Sequence, residues 1–519
     1  MPKRRGFVVA LWLAFVLQGT FYAIVAPMWD GFDEPAHLAY ILFVDEHGRP
    51  PGFHEPSFPR FFVDENRFLP SMVGHGAPSF TEWRAMPAAE RDRDRAIADQ
   101  LARDPNRYRV YMSGNYERQQ GPLFYCLAAL PGFFLRQLTL PKLLVAMRLF
   151  CVLVASAAVP IAARMFNLLG GERALWIGLP LLALAPNTPF TFDRLGNEAL
   201  AFPLATAVAV ELVAIAKGRG GGHLAAAGLL TAAGIFTRIT FLTMLPALVV
   251  ALIISRDKRA LSWMQAVAIP SAAAAIMLAW NKAGSGHFSG IIEQSYRGPV
   301  TRADLGAAIR LLRSIPLTSE FVHNHLWVGG WGFVKPPVAA YEAAEIVLIA
   351  GVVAVAALYA VRKKRIGDAA IVLPLMTAIV VFLIALAWHL LASAIGAVKA
   401  PGSVTVGPGG WYLDEIRAME AGVISFFAAA ATTRVEARIV ARVLTLLCAI
   451  AIALGTIFLM LPHWAGEASH AIGWDGYRAA IDAAPVRLFV ALPLIIAAGW
   501  ALALLGALKL AGEPGAVRV

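Results

Sequence analysis

Long apolar runs divided by short basic tracts leave this chain few ways to fold. A run of about 18 apolar residues crosses the roughly 30 Å hydrocarbon core of a bilayer as a helix, since each residue adds about 1.5 Å. Twelve candidates fall near 7–27, 143–165, 174–192, 198–216, 223–237, 239–255, 261–280, 342–361, 369–397, 413–432, 439–461 and 487–511. In lipid each backbone N–H and C=O needs a partner within its own segment, so the expected fold class is an all-α polytopic membrane protein. Composition agrees, with 58% hydrophobic and only 15% charged residues in 519, against roughly 25% charged in soluble domains. These figures argue against a soluble globular protein, and they exclude a disordered chain, collagen-like repeats and a secreted disulfide scaffold. Cys126, Cys151 and Cys448 all sit inside apolar runs, where a thiol behaves as a small core hydrophobe.

The net charge of +11 would suggest nucleic acid in a soluble chain. Here the positive residues mark membrane topology instead, and no nucleic-acid partner is expected. Lys3-Arg4-Arg5 precede the first run, which ends in Val-Ala-Pro-Met-Trp without a convincing cleavage site, so it reads as a retained anchor. With a cytoplasmic N-terminus, seventeen basic residues lie in inside tracts, among them Arg164/Arg173, Lys217/Arg219, Arg362–Arg365 and Arg434/Arg438/Arg442. Five (Arg194, Arg238, Lys399, Arg478 and Arg487) fall in short outside loops. The asymmetry predicts a multi-pass protein of the inner (plasma) membrane in that orientation. It also assigns Gly121–Leu138 to the outer interface, because a further crossing there would reverse every later helix. Pro131 and Arg136 suit an interfacial helix.

The chain then divides into an N-terminal module of residues 1–280, a large outer segment at 281–341, and the C-terminal helices of 342–519. The module's first outer segment, 28–142, holds most of the polar motifs and a charged helical patch at Arg84–Asp104. Apolar residues are too sparse in both outer segments for a separate core, so both are expected to cap the bundle. No internal repeat is visible.

Directly after the first span stands Trp29-Asp30-Gly31-Phe32-Asp33-Glu34-Pro35-Ala36-His37-Leu38-Ala39-Tyr40. Pro35 suits the first turn of a helix, which puts Asp33 or Glu34 at its N-terminus and His37 and Tyr40 on one face with Asp33. Spacing alone leaves open a plain N-cap. Asn115-Tyr116-Glu117-Arg118-Gln119-Gln120-Gly121-Pro122-Leu123-Phe124-Tyr125 passes abruptly from polar to aromatic, and Asp193-Arg194-Leu195-Gly196-Asn197-Glu198 sets two acids and a base between apolar runs. Ionisable groups beside a bilayer are costly and are either functional or paired. Arg238 interrupts some thirty apolar residues, so it needs an anion: a phosphate, or Asp193 or Glu198. Later, Trp411, Tyr412 and Arg417 mark a re-entry into the membrane, where Arg417 either meets a lipid phosphate or snorkels. His323 and His325, with Trp327 and Trp331, read either as a zinc-binding pair or as part of an aromatic belt.

Asp33-Glu34-Pro-Ala-His, Gln119-Gln120-Gly-Pro-Leu-Phe-Tyr125, Asp193/Asn197-Glu198 and Thr237-Arg238, in that order over residues 1–250, resemble the GT-C superfamily of polytopic glycosyltransferases. Protein O-mannosyltransferases and lipid A aminoarabinose transferases are the similar types. Gly121 stands where such proteins commonly carry proline, and Arg238 where lysine is frequent. The resemblance implies transfer of a sugar from a polyprenyl-phosphate carrier to a lipid, glycan or protein acceptor at the outer face of a bacterial envelope. It implies a catalytic acid at Asp33, with Glu34 beside it. His37, Tyr40, Gln119, Gln120, Tyr125, Asp193, Asn197, Glu198, Trp411 and Tyr412 would line the site, and Arg148, Arg238 or Arg417 would meet the phosphate. The spacing compels no cofactor; a divalent metal, magnesium or manganese, is an option, with Asp33, Glu34, Asp193 and Glu198 as oxygen donors. Two other readings use the same polar residues: a transporter or flippase of lipid-linked sugars, and a non-catalytic assembly factor for envelope polymers.

Overall fold

The computed structural model describes residues 2–31, 33–71, 77–101, 103–104, 110–255, 259–288, 299–315, 369–401, 410–466, 473–487 and 489–512, with a few single positions between, His325 among them. The chain is nearly all helical, and among the described residues seven stretches are long and apolar enough to cross a membrane: Arg4–Val25, Leu140–Ala183, Glu198–Ala216, Leu261–Ser285, Ala369–Lys399, Arg434–Trp464 and Ala491–Gly512. The membrane-protein expectation therefore holds at the level of a multi-pass helical bundle.

The difference from twelve has local causes. The run 143–165 and the first part of 174–192 lie in successive helices, α4 (Leu140–Ser156) and α5 (Ala158–Ala183), with 184–192 beyond them. Gly170 and Gly171 leave helical geometry inside α5, and Gly171 takes φ +63°, a conformation that glycine adopts without steric cost. The chain folds back there, bringing Phe166 against Gly178. The runs 223–237 and 239–255 form α7 (Gly222–Ile235) and a continuous stretch Ile239–Ser255, a 3₁₀ turn leading into α8 (Met244–Ser255), both apolar but shorter than the seven long stretches. The run 413–432 yields the 15-residue α11 (Arg417–Ala431). The run 342–361 lies outside the described residues apart from single positions.

At the centre is α6 (Glu198–Ala216), apolar all round and buried on most of its surface, as expected of a helix enclosed by others. It packs against α4, α5 and α7, while α1 (Pro2–Val25) packs against α4, α5 and the last helix, α13 (Ala491–Gly512). Between α1 and α5, Phe7 meets Trp176 with ring centroids 4.2 Å apart.

The two ends of the bundle differ in charge. At the end holding the start of α1, Arg4 bonds Asn167, Lys217 bonds the Leu168 carbonyl, Arg173 donates to the Thr432 carbonyl at 2.7 Å, and Arg434 pairs with Glu172. Basic side chains there close the ends of helices, where unpaired carbonyls attract cations. The opposite end carries the buried acids Asp30, Glu34, Glu117, Asp193, Asp414 and Glu415.

The first polar segment folds over that opposite end. It comprises α2 (Glu34–His47), short helices at Phe61–Asn66, Phe80–Ala85 and Ala88–Leu101, and a two-stranded antiparallel ribbon of Phe58–Pro59 with Tyr111–Ser113. The helix anticipated within 84–104 is present as Ala88–Leu101, and Arg91 ties it to Asp482 at 2.9 Å. The aromatic helix α3 (Leu123–Leu135) has 13 residues, about 20 Å at about 1.5 Å each, which is too short to span. Its outer face exposes Leu130 and Phe134, a surface suited to lipid.

Candidate functional site

Five segments converge at the acidic end: the turn after α1, the 3₁₀ turn Tyr116–Gln119 before α3, the stretch 193–198 before α6, the stretch 236–241 after α7, and the 3₁₀ turn Gly410–Ile416 before α11. Most of what they contribute is polar and buried.

The turn after α1 separates the two neighbouring acids. Trp29 adopts φ +57°, which strains a bulky residue and persists only where the surroundings enforce it. Its ring is buried and packs on Phe62 at 5.4 Å. Beyond it, Glu34 begins α2 and points into the bundle, where Arg148 of α4 donates to it from Nε at 2.7 Å and Nη2 at 2.6 Å. The Leu195 amide donates to the same carboxylate at 3.0 Å. Arg148 also donates to the carbonyls of Ala26 and Pro27, at 2.7 and 2.8 Å. This forked, fully buried pair therefore locks together α1, α2, α4 and the 193–198 stretch. Glu34 and Arg148, anticipated as a second catalytic acid and a phosphate-binding cation, are thus occupied by each other. Asp193 lies buried near this clamp, and Asp30 accepts from Trp464 at 3.1 Å beside it.

Asp33 faces the other way. It sits at the N-cap position of α2, yet its side chain caps nothing. Instead Tyr116 donates to its Oδ1 at 2.5 Å. Burial pushes the Asp33 carboxyl up to about 6; the Tyr116 hydrogen bond opposes that shift and the Glu198 charge adds to it. One turn on, His37 shares a 2.9 Å hydrogen bond between Nδ1 and the Tyr125 hydroxyl, and burial lowers the imidazole to about 4. Tyr40 stacks on Tyr125, the ring centroids 3.7 Å apart and the planes 7° from parallel, so these two tyrosines form one wall.

Glu117 completes this group. Asn115 fixes its segment to α2, donating to the Ala36 carbonyl at 2.6 Å and accepting from the Glu117 amide at 2.9 Å. The Glu117 carboxyl is buried, lies 3.5 Å from the Tyr125 hydroxyl, and is pushed well up by burial and the neighbouring negative charges. Gln119 and Gln120 follow, half-buried, each with a side-chain oxygen that has no hydrogen-bond partner among the described residues.

Opposite stands Arg238. It pairs with Glu198 at 3.1 Å and Glu415 at 3.7 Å, and its guanidinium lies 5.3 Å from the Tyr412 ring centroid. Thr240 donates to Glu415 at 2.8 Å, and Asn197 donates to the Thr237 carbonyl at 3.3 Å. The fields of Arg238 and Glu198 both reach Asp33 and His37, so one electrostatic neighbourhood contains all four groups. A glycine is required to build it. A Cβ on Gly121 would lie 2.1 Å from the Phe236 carbonyl, and the Leu123 amide donates to that same carbonyl at 2.8 Å. The bare backbone at Gly121 thereby docks the start of α3 directly on the turn that carries Arg238.

Arg417 belongs to a neighbouring network rather than to this group. It holds Asp414, which also accepts from Asn187 and Thr191, and donates to the His325 carbonyl at 2.7 Å. His325 in turn meets Glu420 at 2.9 Å. His323, Trp327 and Trp331 lie outside the described residues, as does the side chain of Trp411.

Of the residues anticipated from the sequence, Asp33, His37, Tyr40, Tyr125, Asn197, Glu198, Arg238 and Tyr412 come together, with Gln119 and Gln120 adjoining. Tyr116, Glu117 and Glu415 join them without having been singled out. Glu117 and Tyr116 had a legible signal, since they stand in the polar run immediately before the aromatic start of α3. What the arrangement offers chemically is a poised carboxylate and a neutral imidazole facing a fixed cation. No curated protein and no solved structure matches the chain. Its apolar helices and the match of its residues 15–398 to one family model agree: this chain belongs to the family of predicted membrane proteins designated DUF2142.

Proposed function

We propose that this protein is a membrane glycosyltransferase that moves a sugar from a polyprenyl-phosphate carrier to an acceptor hydroxyl at the outer face of the plasma membrane. The observation that carries the reading is that Asp33 and Arg238, more than two hundred residues apart in sequence, lie near enough for the charge of Arg238 to act on Asp33, in one polar group at the end of the bundle remote from the basic tracts. With a cytoplasmic N-terminus that end is extracytoplasmic.

In the reaction the acceptor oxygen attacks the anomeric carbon as the bond from that carbon to the phosphate oxygen breaks. The acceptor's proton passes to Asp33, which is raised toward neutrality and so is a stronger base than an exposed aspartate. The polyprenyl phosphate leaves with the bonding pair, and its growing charge falls to Arg238. A one-step displacement inverts the anomeric configuration. Glu34 and Arg148 position Asp33 by fixing the turn between α1 and α2.

An apolar groove of about 500 Å³ runs between α1 and the C-terminal helices, lined by Leu17, Phe21, Ile452, Ile457 and Trp500. Its apolar lining suits the hydrocarbon tail of a lipid substrate. A transporter would instead need ionisable groups near the mid-plane of the membrane, whereas these acids crowd one end.

Mass spectrometry of lipid-linked sugars and envelope glycans, with and without the gene, tests the proposal. Loss of a glycan modification together with a build-up of its polyprenyl-phosphate sugar is expected. Unchanged glycans and carrier pools would overturn it.

A further inference from the structure

The group formed by Asp33, His37 and Glu117 has a composition that acid–base catalysis does not require. One donor atom from each residue lies within 4.8 Å of the other two. Oxygen and nitrogen donors bound to one tetrahedral cation at roughly 2.1 Å stand about 3.4 Å apart, so small side-chain movements would close these three on an ion. The three come from two segments, with His37 one turn beyond Asp33 on α2 and Glu117 on the turn that Asn115 pins to α2.

The charge balance favours occupancy. Neither Asp33 nor Glu117 has a lysine or arginine within 4.0 Å among the described residues. Arg238 is engaged by Glu198 and Glu415. The two carboxylates converge, Glu117 buried and Asp33 partly so, and like charges this close are costly unless a cation joins them. His37 is only 4% exposed, so its imidazole is enclosed with the two carboxyl groups. One ring nitrogen is already held by Tyr125, the kind of outer contact that orients a ligating imidazole.

We propose that Asp33, His37 and Glu117 bind one divalent first-row transition cation, manganese or zinc in preference to magnesium. The imidazole decides the class, because magnesium and calcium take oxygen ligands while manganese and zinc accept a mixed nitrogen and oxygen set. This differs from the all-oxygen set anticipated from the sequence. Glu34 is held by Arg148 and Glu198 by Arg238, which leaves neither free to serve. Three protein donors leave a coordination position open, as in catalytic rather than closed structural centres.

The inference uses the pocket of the proposed glycosyl transfer but not the reaction, and its test reads binding alone. Full-length protein in nanodiscs, freed of its tag and stripped with a chelator, is titrated with manganese chloride by electron paramagnetic resonance and with zinc chloride and magnesium chloride by calorimetry. One manganese or zinc per chain is expected, bound at least about tenfold more tightly than magnesium. His37→Ala and Glu117→Gln should each weaken it about tenfold or more. His463→Ala, which removes a histidine packed on Phe80 at another rim, should leave it unchanged. Size exclusion and thermal melting show which variants fold, and either of the two site variants suffices alone. Substoichiometric binding, or binding equal in wild type and in the folded site variants, would overturn the inference. Stoichiometric binding without sugar transfer would leave it standing while removing the glycosyltransferase reading.

Discussion

The Arg148 guanidinium grips the Glu34 carboxylate with two parallel hydrogen bonds of 2.7 and 2.6 Å, and the two side chains are 1% and 0% exposed. Removing one partner of a buried pair strands the other charge. Glu34→Gln or Arg148→Met should therefore destabilise the protein by about 3–5 kcal/mol. The double variant Glu34→Leu/Arg148→Met should recover part of that loss, since no charge is left unpaired. Thermal melting of the four proteins in detergent measures this, and a double variant worse than either single one would show that the pair is not the stabilising unit.

Gly121 is a steric requirement. The nearest atoms to an added Cβ belong to the Phe236 backbone, which cannot swing aside as a side chain can. Gly121→Ala should cost about 1–3 kcal/mol by overpacking and push apart the start of α3 and the Arg238 turn. A lower melting temperature accompanied by weaker turnover is the expected result. Gly48→Ala provides a contrast, because nothing lies within 4 Å of that glycine and only its φ of +65° opposes the change.

Arg238 is assigned the charge of the departing phosphate. Arg238→Gln should lower kcat by about 10²–10³, the usual effect of deleting one fixed electrostatic partner of a transition state. Arg238→Lys keeps the charge but not the planar fork that reaches Glu198 and Glu415 together, so it should fall between the two. Steady-state rates with a polyprenyl-phosphate sugar read this series. Equal rates for the glutamine and lysine variants would remove the leaving-group role.

The helical, multi-pass character was legible because apolar run length is a strong signal, and α3 is, as read, not a long spanning helix. The count of crossings was less so. Whether 143–192 is two crossings or a hairpin of unequal arms depends on the backbone at Gly170 and Gly171, which hydropathy does not register. At the site, Asp33, His37 and Arg238 stood out as polar residues in costly places. Adjacent residues proved the hardest to apportion: Asp33 and Glu34 are neighbours in the chain, but the turn at Trp29 and the first turn of α2 send them to opposite sides. Only Arg148, more than a hundred residues away, reveals which side Glu34 takes. Glu415 was similarly hidden, since its partner Arg238 is fixed by tertiary packing and not by spacing.

The most direct measurement is the turnover of purified Asp33→Asn with a polyprenyl-phosphate sugar, alongside its expression level and its affinity for that donor. Loss of a general base lowers rates by about 10²–10⁴, and that loss is predicted with folding and donor binding intact. A folded Asp33→Asn protein that transfers sugar at the wild-type rate would contradict the account.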